Sequence, residues 1–173
     1  MHQSLTVTVT NVNEAPTLAT PTAASYTDTA IADTFTANTG TLAGADVDTS
    51  TTLTYGITGG TANTSRAGFN VGKTGNYGTL FLNSVNGSYL FVPNDSAIEG
   101  LTSSTTEDFT FTVNDGTTTV SSQTLTVSLT GANDTPVVSG TFTGAVTEGN
   151  VGDSAVTATG SLGISDRDTG AAP

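Results

Sequence analysis

The strongest constraint on this chain is an alternation of period two. Leu5-Thr6-Val7-Thr8-Val9-Thr10, Leu53-Thr54-Tyr55-Gly56-Ile57, Phe109-Thr110-Phe111-Thr112-Val113 and Leu125-Thr126-Val127-Ser128-Leu129-Thr130 each set apolar residues at every second position. Successive side chains of an extended chain face opposite ways, so these runs have one apolar and one hydroxyl face, the pattern of half-buried antiparallel strands. Thr79 to Asn83 and Ser88 to Val92 read as two more strands, joined through the hairpin signal Val85-Asn86-Gly87. No stretch keeps an amphipathic helical period, and Ser96 to Leu101 reads as one short helical turn at most. Seven or so short strands per hundred-odd residues, without helices, predict an all-β chain folded as an immunoglobulin-like antiparallel β-sandwich.

The chain also repeats itself. Displaced by 120 positions, Gln3-Ser4-Leu5-Thr6-Val7 falls on Gln123-Thr124-Leu125-Thr126-Val127, and Asn13-Glu14-Ala15-Pro16 on Asn133-Asp134-Thr135-Pro136. Thr39-Gly40-Thr41-Leu42 meets Thr159-Gly160-Ser161-Leu162, and Asp46-Val47-Asp48-Thr49 meets Asp166-Arg167-Asp168-Thr169. Residues 3–50 agree with 123–170 at 15 of 48 positions without a gap, a register that a Thr-rich composition does not hold by chance. The expected organisation is a slice of a tandem array. Residues 1–16 read as the last strand of a preceding repeat plus a linker, 17–130 as a complete repeat, 131–136 as a second linker and 137–173 as the truncated start of the next. The near-copies 3–10 and 123–130 suit the same sheet position, which leaves the first strand free to dangle, to pair with another molecule or to displace its twin.

Charge decides which chemistry is left. Fifteen Asp and Glu stand against three cations, Arg66, Lys73 and Arg167, for a net charge of −12. Such a chain has no basic stripe to neutralise phosphates, so nucleic acid and anionic lipid are not expected partners. No apolar run approaches about 18 residues, so no membrane insertion is expected. With no Cys, and one His at position 2, thiolate, zinc-thiolate and serine-triad chemistry are excluded, and the chain does not read as an enzyme. What remains is oxygen from carboxylates, Asn side chains, hydroxyls and carbonyls, the ligand set of hard cations and above all Ca2+.

Calcium collects six to eight oxygens, usually from several loops. The linker offers Asn11, Asn13 and Glu14; Asp46 and Asp48 stand two apart in an extended segment; Asp115 follows a strand in Asn114-Asp115-Gly116. If these loops meet, four carboxylates (Glu14, Asp46, Asp48, Asp115) converge, repel one another without a cation and clamp the linker with one. Asp166 and Asp168 repeat the pair at the second junction. The plainer alternative is an Asp-x-Asp that only makes solvated Asx turns. Asp33, Asp153 and Glu99 read as surface charge, Lys73 as part of an exposed loop, and Tyr55, Tyr77, Phe81, Tyr89, Phe91, Phe109 and Phe111 as core or cross-strand residues.

The order Asn-x-Asn-Glu-x-Pro, then Ala45-Asp46-Val47-Asp48, Val113-Asn114-Asp115-Gly116 and Ala132-Asn133-Asp134-Thr135-Pro136, resembles the calcium-ligand order of cadherin domains. More closely, Gly44 to Asp48, Leu53-Thr54-Tyr55, Tyr77-Gly78-Thr79-Leu80, Asn86-Gly87-Ser88-Tyr89, Val92-Pro93-Asn94-Asp95 and Phe111 to Gly116 resemble the VCBS repeat of very large secreted bacterial surface proteins, RTX-type adhesins among them. The resemblance covers nearly all of 17–136. It implies a cadherin-like, calcium-binding module of a secreted, cell-surface adhesin, monomeric, whose partners are the neighbouring repeats of its own chain. Asn11 and Glu14 stand where the cadherin pattern prefers Asp, and Thr49-Ser50 where a Gly is usual. By the same analogy the lower end of the domain offers acids to the next linker: Asp28, matched by Glu148 one repeat later, with Glu107, Asp108 and Asp95 facing Asn133 and Asp134. The second junction has no counterpart of Asp115 before Pro173 and is expected to be incompletely liganded. Three function classes follow: a stalk stiffened by calcium at its linkers, then a module recognising a glycan or cell-surface protein through the Gly-rich 59–76 loop, then a carboxylate glycosidase.

Overall fold

The computed structural model of the chain describes residues 2–49, 51–117, 119–141, 143–168 and 170. Ser50 and Thr169, which follow the two Asp pairs, lie outside the described residues, as do Met1 and residues 171–173. In chain order the elements are β1 (Thr17–Leu18), β2 (Ala24–Thr27), β3 (Asn38–Thr41), β4 (Gly44–Ala45), β5 (Thr54–Ile57), β6 (Thr61–Ala62), β7 (Val71–Thr74), β8 (Gly78–Leu82), β9 (Ser88–Pro93), α1 (Asp95–Glu99), β10 (Thr105–Asn114), β11 (Thr119–Thr130), β12 (Val137–Gly140) and β13 (Leu162–Ser165). The described residues are all-β apart from a single helical turn.

One sheet has the order β2-β11-β10-β5 and a second the order β3-β9-β8-β7-β6; β1-β4 and β12-β13 form two-stranded sheets. Every pairing is antiparallel except β11 with β2, which is parallel. Antiparallel neighbours throughout were expected. The departure has a simple cause: β2 and β11 are separated by most of the repeat, so no tight turn dictates their relative direction.

The period-two runs carry the core. In β10 Phe109, Phe111 and Val113 are buried and in β11 Leu125, Val127 and Leu129; the intervening Thr residues face outward. From the second sheet come Leu80 and Leu82 of β8 and Tyr89 and Phe91 of β9, and both sets belong to one apolar cluster. Phe91 lies 5.7 Å from Phe109 and Tyr89 lies 5.2 Å from Phe111, ring centre to ring centre. Phe91 also meets Tyr26 of β2 at 5.9 Å, so one ring joins three strands of two sheets. Full burial of a side chain this size contributes about 1.5–3 kcal/mol. The β8–β9 hairpin turns at Gly87, whose φ of 74° suits glycine and whose missing Cβ leaves room for the Leu42 carbonyl and Tyr55.

Three expectations change. Residues 59–76 are not one open loop: β6 and β7 extend the second sheet, and the intervening turn is tied by Asn63 Nδ2 donating to the Phe69 carbonyl at 2.8 Å. Lys73 is accordingly a half-buried strand residue, its Nζ 5.8 Å from the centre of the Phe109 ring. The alternating run Leu5 to Thr10 forms no strand, and Leu5, Val7 and Val9 are 88%, 72% and 88% exposed. Its near-copy β11 already occupies the place between β2 and β10 that this sequence fits. No helix among the described residues is long and apolar enough to cross a membrane.

The 120-residue period reappears in the pairing. β1 and β4 match Thr17 with Ala45 and Leu18 with Gly44; β12 and β13 match Val137 with Ser165 and Val138 with Ile164, each partner displaced by 120 (17 to 137, 45 to 165). These two small sheets carry the Asp-x-Asp pairs at their ends and set them beside the linkers.

Candidate metal centre

At the first junction the linker lies against the loop after β4. Asp48 Oδ2 accepts the Glu14 backbone N–H at 2.9 Å, and Asp48 Oδ1 accepts Asn11 Nδ2 at 3.1 Å. Asp46 Oδ1 accepts the Asp48 N–H at 2.8 Å, an Asx turn that shapes the loop. Asp115, on the turn between β10 and β11, accepts Asn13 Nδ2 at 2.9 Å. The three loops singled out from sequence therefore meet. The four carboxylates do not close into one group, however, because amide donors hold Asp46, Asp48 and Asp115 at their own places. Glu14 is exposed. These N–H donors favour the charged form of Asp48 and hold its carboxyl below its ordinary value, the Glu14 amide first and Asn11 next.

The second junction repeats the clamp. Asp168 Oδ2 accepts the Asp134 N–H at 2.9 Å, Asp166 Oδ1 accepts the Asp168 N–H at 2.9 Å, and Asn133 Nδ2 turns back to the Asp134 carbonyl at 2.8 Å, as Asn13 does to that of Glu14 at 3.1 Å. What differs is the floor. The linker sits on the end of the 17–130 unit, where Asp28 directly follows β2 and Glu99 ends α1. Asp28 Oδ2 accepts the Ala132 N–H at 3.1 Å, and Glu99 Oε1 accepts the Asp33 N–H at 2.8 Å. Oxygens of Asp28, Glu99 and Asp134 lie within 4.8 Å of one another, the only such acidic trio among the described residues. The three residues are 2%, 5% and 0% exposed.

Both carboxylate oxygens of Asp134, one of Asp28 and one of Asp168 are buried without a hydrogen-bond partner; at the first junction the same holds for one oxygen of Asp46. Burial pushes the Asp134 carboxyl up, and Asp28 raises it further, while Arg167 partly opposes the rise. Glu99 is pushed up by burial too, against the lowering bond from the Asp33 amide, with Asp28 and Asp134 adding repulsion. Arg167 Nε stands 3.6 Å from Glu99 Oε2.

Of the acids assigned to this end from sequence, Asp28, Asp134, Asp166 and Asp168 gather here. Asn133 is exposed, with its amide turned to the backbone. Glu107 is elsewhere: its carboxylate accepts the N–H groups of Asn76 and Tyr77 and braces the β7–β8 turn against β10. Asp95 accepts the Phe35 N–H at 3.2 Å, and Asp108 and Glu148 are exposed. Glu99 was read as surface charge and is instead a floor of the trio. The available signal was its neighbour Ile98, a core residue buried with it in α1. Asp33 also belongs to this network, accepting the N–H and hydroxyl of Thr29 at 2.7 Å each.

An isolated buried carboxylate costs several kcal/mol, and three in contact repel one another, so the trio requires protonation or a cation. Asp28, Glu99, Asp134 and the spare oxygen of Asp168 offer carboxylate oxygen alone, the donor set of a hard divalent ion. The class of protein thus defined is an all-β chain with a buried carboxylate cluster at the seam between two sequence-related segments. No protein-family model matches the chain, and no curated protein matches it.

Proposed function

We propose that this chain is a calcium-binding structural repeat: a cadherin-like β-sandwich of the VCBS type in a large bacterial surface adhesin, exported from the cell and held in line with its neighbouring repeats by Ca2+ at the linkers. The observation that carries the reading is the buried trio Asp28, Glu99 and Asp134 at the second linker, with both Asp134 oxygens unpartnered. The repeated clamp from Asp-x-Asp to linker backbone supports it, since it brings the same acids to each junction.

In this reading the ion joins three separate pieces of the chain. Asp28 and Glu99 come from the end of one repeat, Asp134 from the linker, and Asp168 from the start of the next. An ion shared among them removes the repulsion and fixes the hinge, so that a metal-free array flexes and a loaded one is a rod. The function is mechanical and its partner is the next repeat.

Melting curves with calcium and with chelator test the reading. One site held at 100 times its Kd contributes about 2.7 kcal/mol, and Asp46→Ala or Asp48→Ala removes the share that belongs to the first junction. Superimposed curves refute calcium binding. Small-angle scattering separates stalk from mere metal site, because stiffening demands a longer, straighter particle with calcium.

A further inference from the structure

Arg167 stands between the two acids of the second Asp-x-Asp pair, where the first copy has Val47. Its contact with Glu99 is the one ion pair among the described residues. The two partners belong to different segments, Glu99 to the end of the 17–130 unit and Arg167 to the loop after β13, so the pair spans the seam. The Arg167 side chain is 44% exposed and the Glu99 side chain 7%. Ala32, Asp33, Ser96, Glu99 and Arg167 line a cleft of about 360 Å³, which gives the guanidinium solvent to move into.

We propose that Arg167 is a built-in counter-cation of the second junction, which holds Glu99 across the seam while no metal is bound and gives it up when one binds. The proposal rests on the metal reading above. It follows from charge. Both carboxylate oxygens of Asp134 and one of Asp28 are buried beside Glu99 without hydrogen-bond partners, and among the described residues Arg167 is the only cation paired with the trio. A half-exposed arginine contact at 3.6 Å is weak enough to be displaced. Val47 offers nothing of the kind, so the first junction lacks this holding device.

The test compares the whole chain with Arg167→Val, which installs the residue of the other copy, and Arg167→Lys, which keeps the charge. Calcium is titrated by calorimetry, and hydrogen exchange of the Asp134 amide is followed in chelator. The expected result for Arg167→Val is calcium affinity at the second junction higher by up to about fivefold, with faster Asp134 exchange in chelator. Arg167→Lys should fall between. Unchanged or weaker calcium binding by Arg167→Val, in a chain whose wild type binds, overturns the counter-cation and leaves the metal reading intact. If neither chain takes up calcium, the metal reading falls and with it the release of Glu99 on binding, leaving only the seam contact to test. The chelator arm then decides: unequal exchange upholds the seam contact and equal exchange overturns it.

Discussion

Glu14 and Asp134 occupy corresponding places in two copies of one linker, and each gives its backbone N–H to the second Asp of an Asp-x-Asp pair at 2.9 Å. Around Glu14 the site is open: the side chain is exposed, Asn11 and Asn13 supply donors to Asp48 and Asp115, and residues 2–10 contribute no acid. Around Asp134 the site is closed, with Asp28 and Glu99 beneath it and the carboxylate wholly buried. The same clamp therefore stands alone in one place and over a buried acidic cluster in the other. What separates them is the surface that the linker lands on. The electrostatics follow, with Asp48 held down by amides and Asp134 driven up by burial.

The largest expected difference between the junctions is in the response to metal. Saturating calcium should raise the melting temperature by about 5–10 °C, and Asp134→Ala should remove most of that gain while Glu14→Ala removes little; equal losses would erase the distinction. A smaller effect is expected in chelator. Asp134→Asn relieves a buried charge and should raise the melting temperature by about 2–6 °C. Glu14→Gln, on an exposed side chain, should change stability by less than about 0.5 kcal/mol.

The pH response in chelator sharpens the contrast, because the two carboxyls have opposite signs. Asp134 and Glu99 titrate higher in the folded chain than in the unfolded one, so their penalty is absent below the ordinary carboxylate range and grows as pH rises through the folded values. Asp48 titrates lower when folded, so its contribution is present above the ordinary range and is lost as pH falls through the folded value. Mild acidification from neutrality should therefore raise the protection of the Asp134 amide relative to its intrinsic exchange rate at each pH, and only stronger acid should lower that of the Glu14 amide. Parallel pH profiles of protection for the two amides would contradict the assignment. A small effect belongs to Asn13→Ala as well, which loses an exposed bond to Asp115 and should cost under about 1 kcal/mol by chemical denaturation.

Much of the fold could be read from the chain. β8, β9, β10 and β11 were legible because one buried face stamps a period of two on the sequence. β1, β4, β6 and β7 are too short to show a period, and β2 joins its sheet in parallel, a choice no local signal records. Leu5 to Thr10 has the strand pattern without the strand, since pattern gives a segment its faces but not its neighbours. At the site, the 120-residue repeat exposed Asp46, Asp48, Asp166 and Asp168 because both copies carry them. Glu99 lies outside the repeated span and reads as an isolated charge, yet it is buried with Ile98 at the end of α1. Glu107 carried the right charge in the wrong place, since its β10 position points it at the β7–β8 turn.

The account stands on a hard cation at the second junction. Anomalous diffraction from crystals grown with calcium tests that most directly. The predicted result is a calcium peak ligated by Asp28, Glu99 and Asp134, with Arg167 withdrawn from Glu99. No peak there, with the three carboxyls hydrogen-bonded to one another or to water at neutral pH, would contradict it.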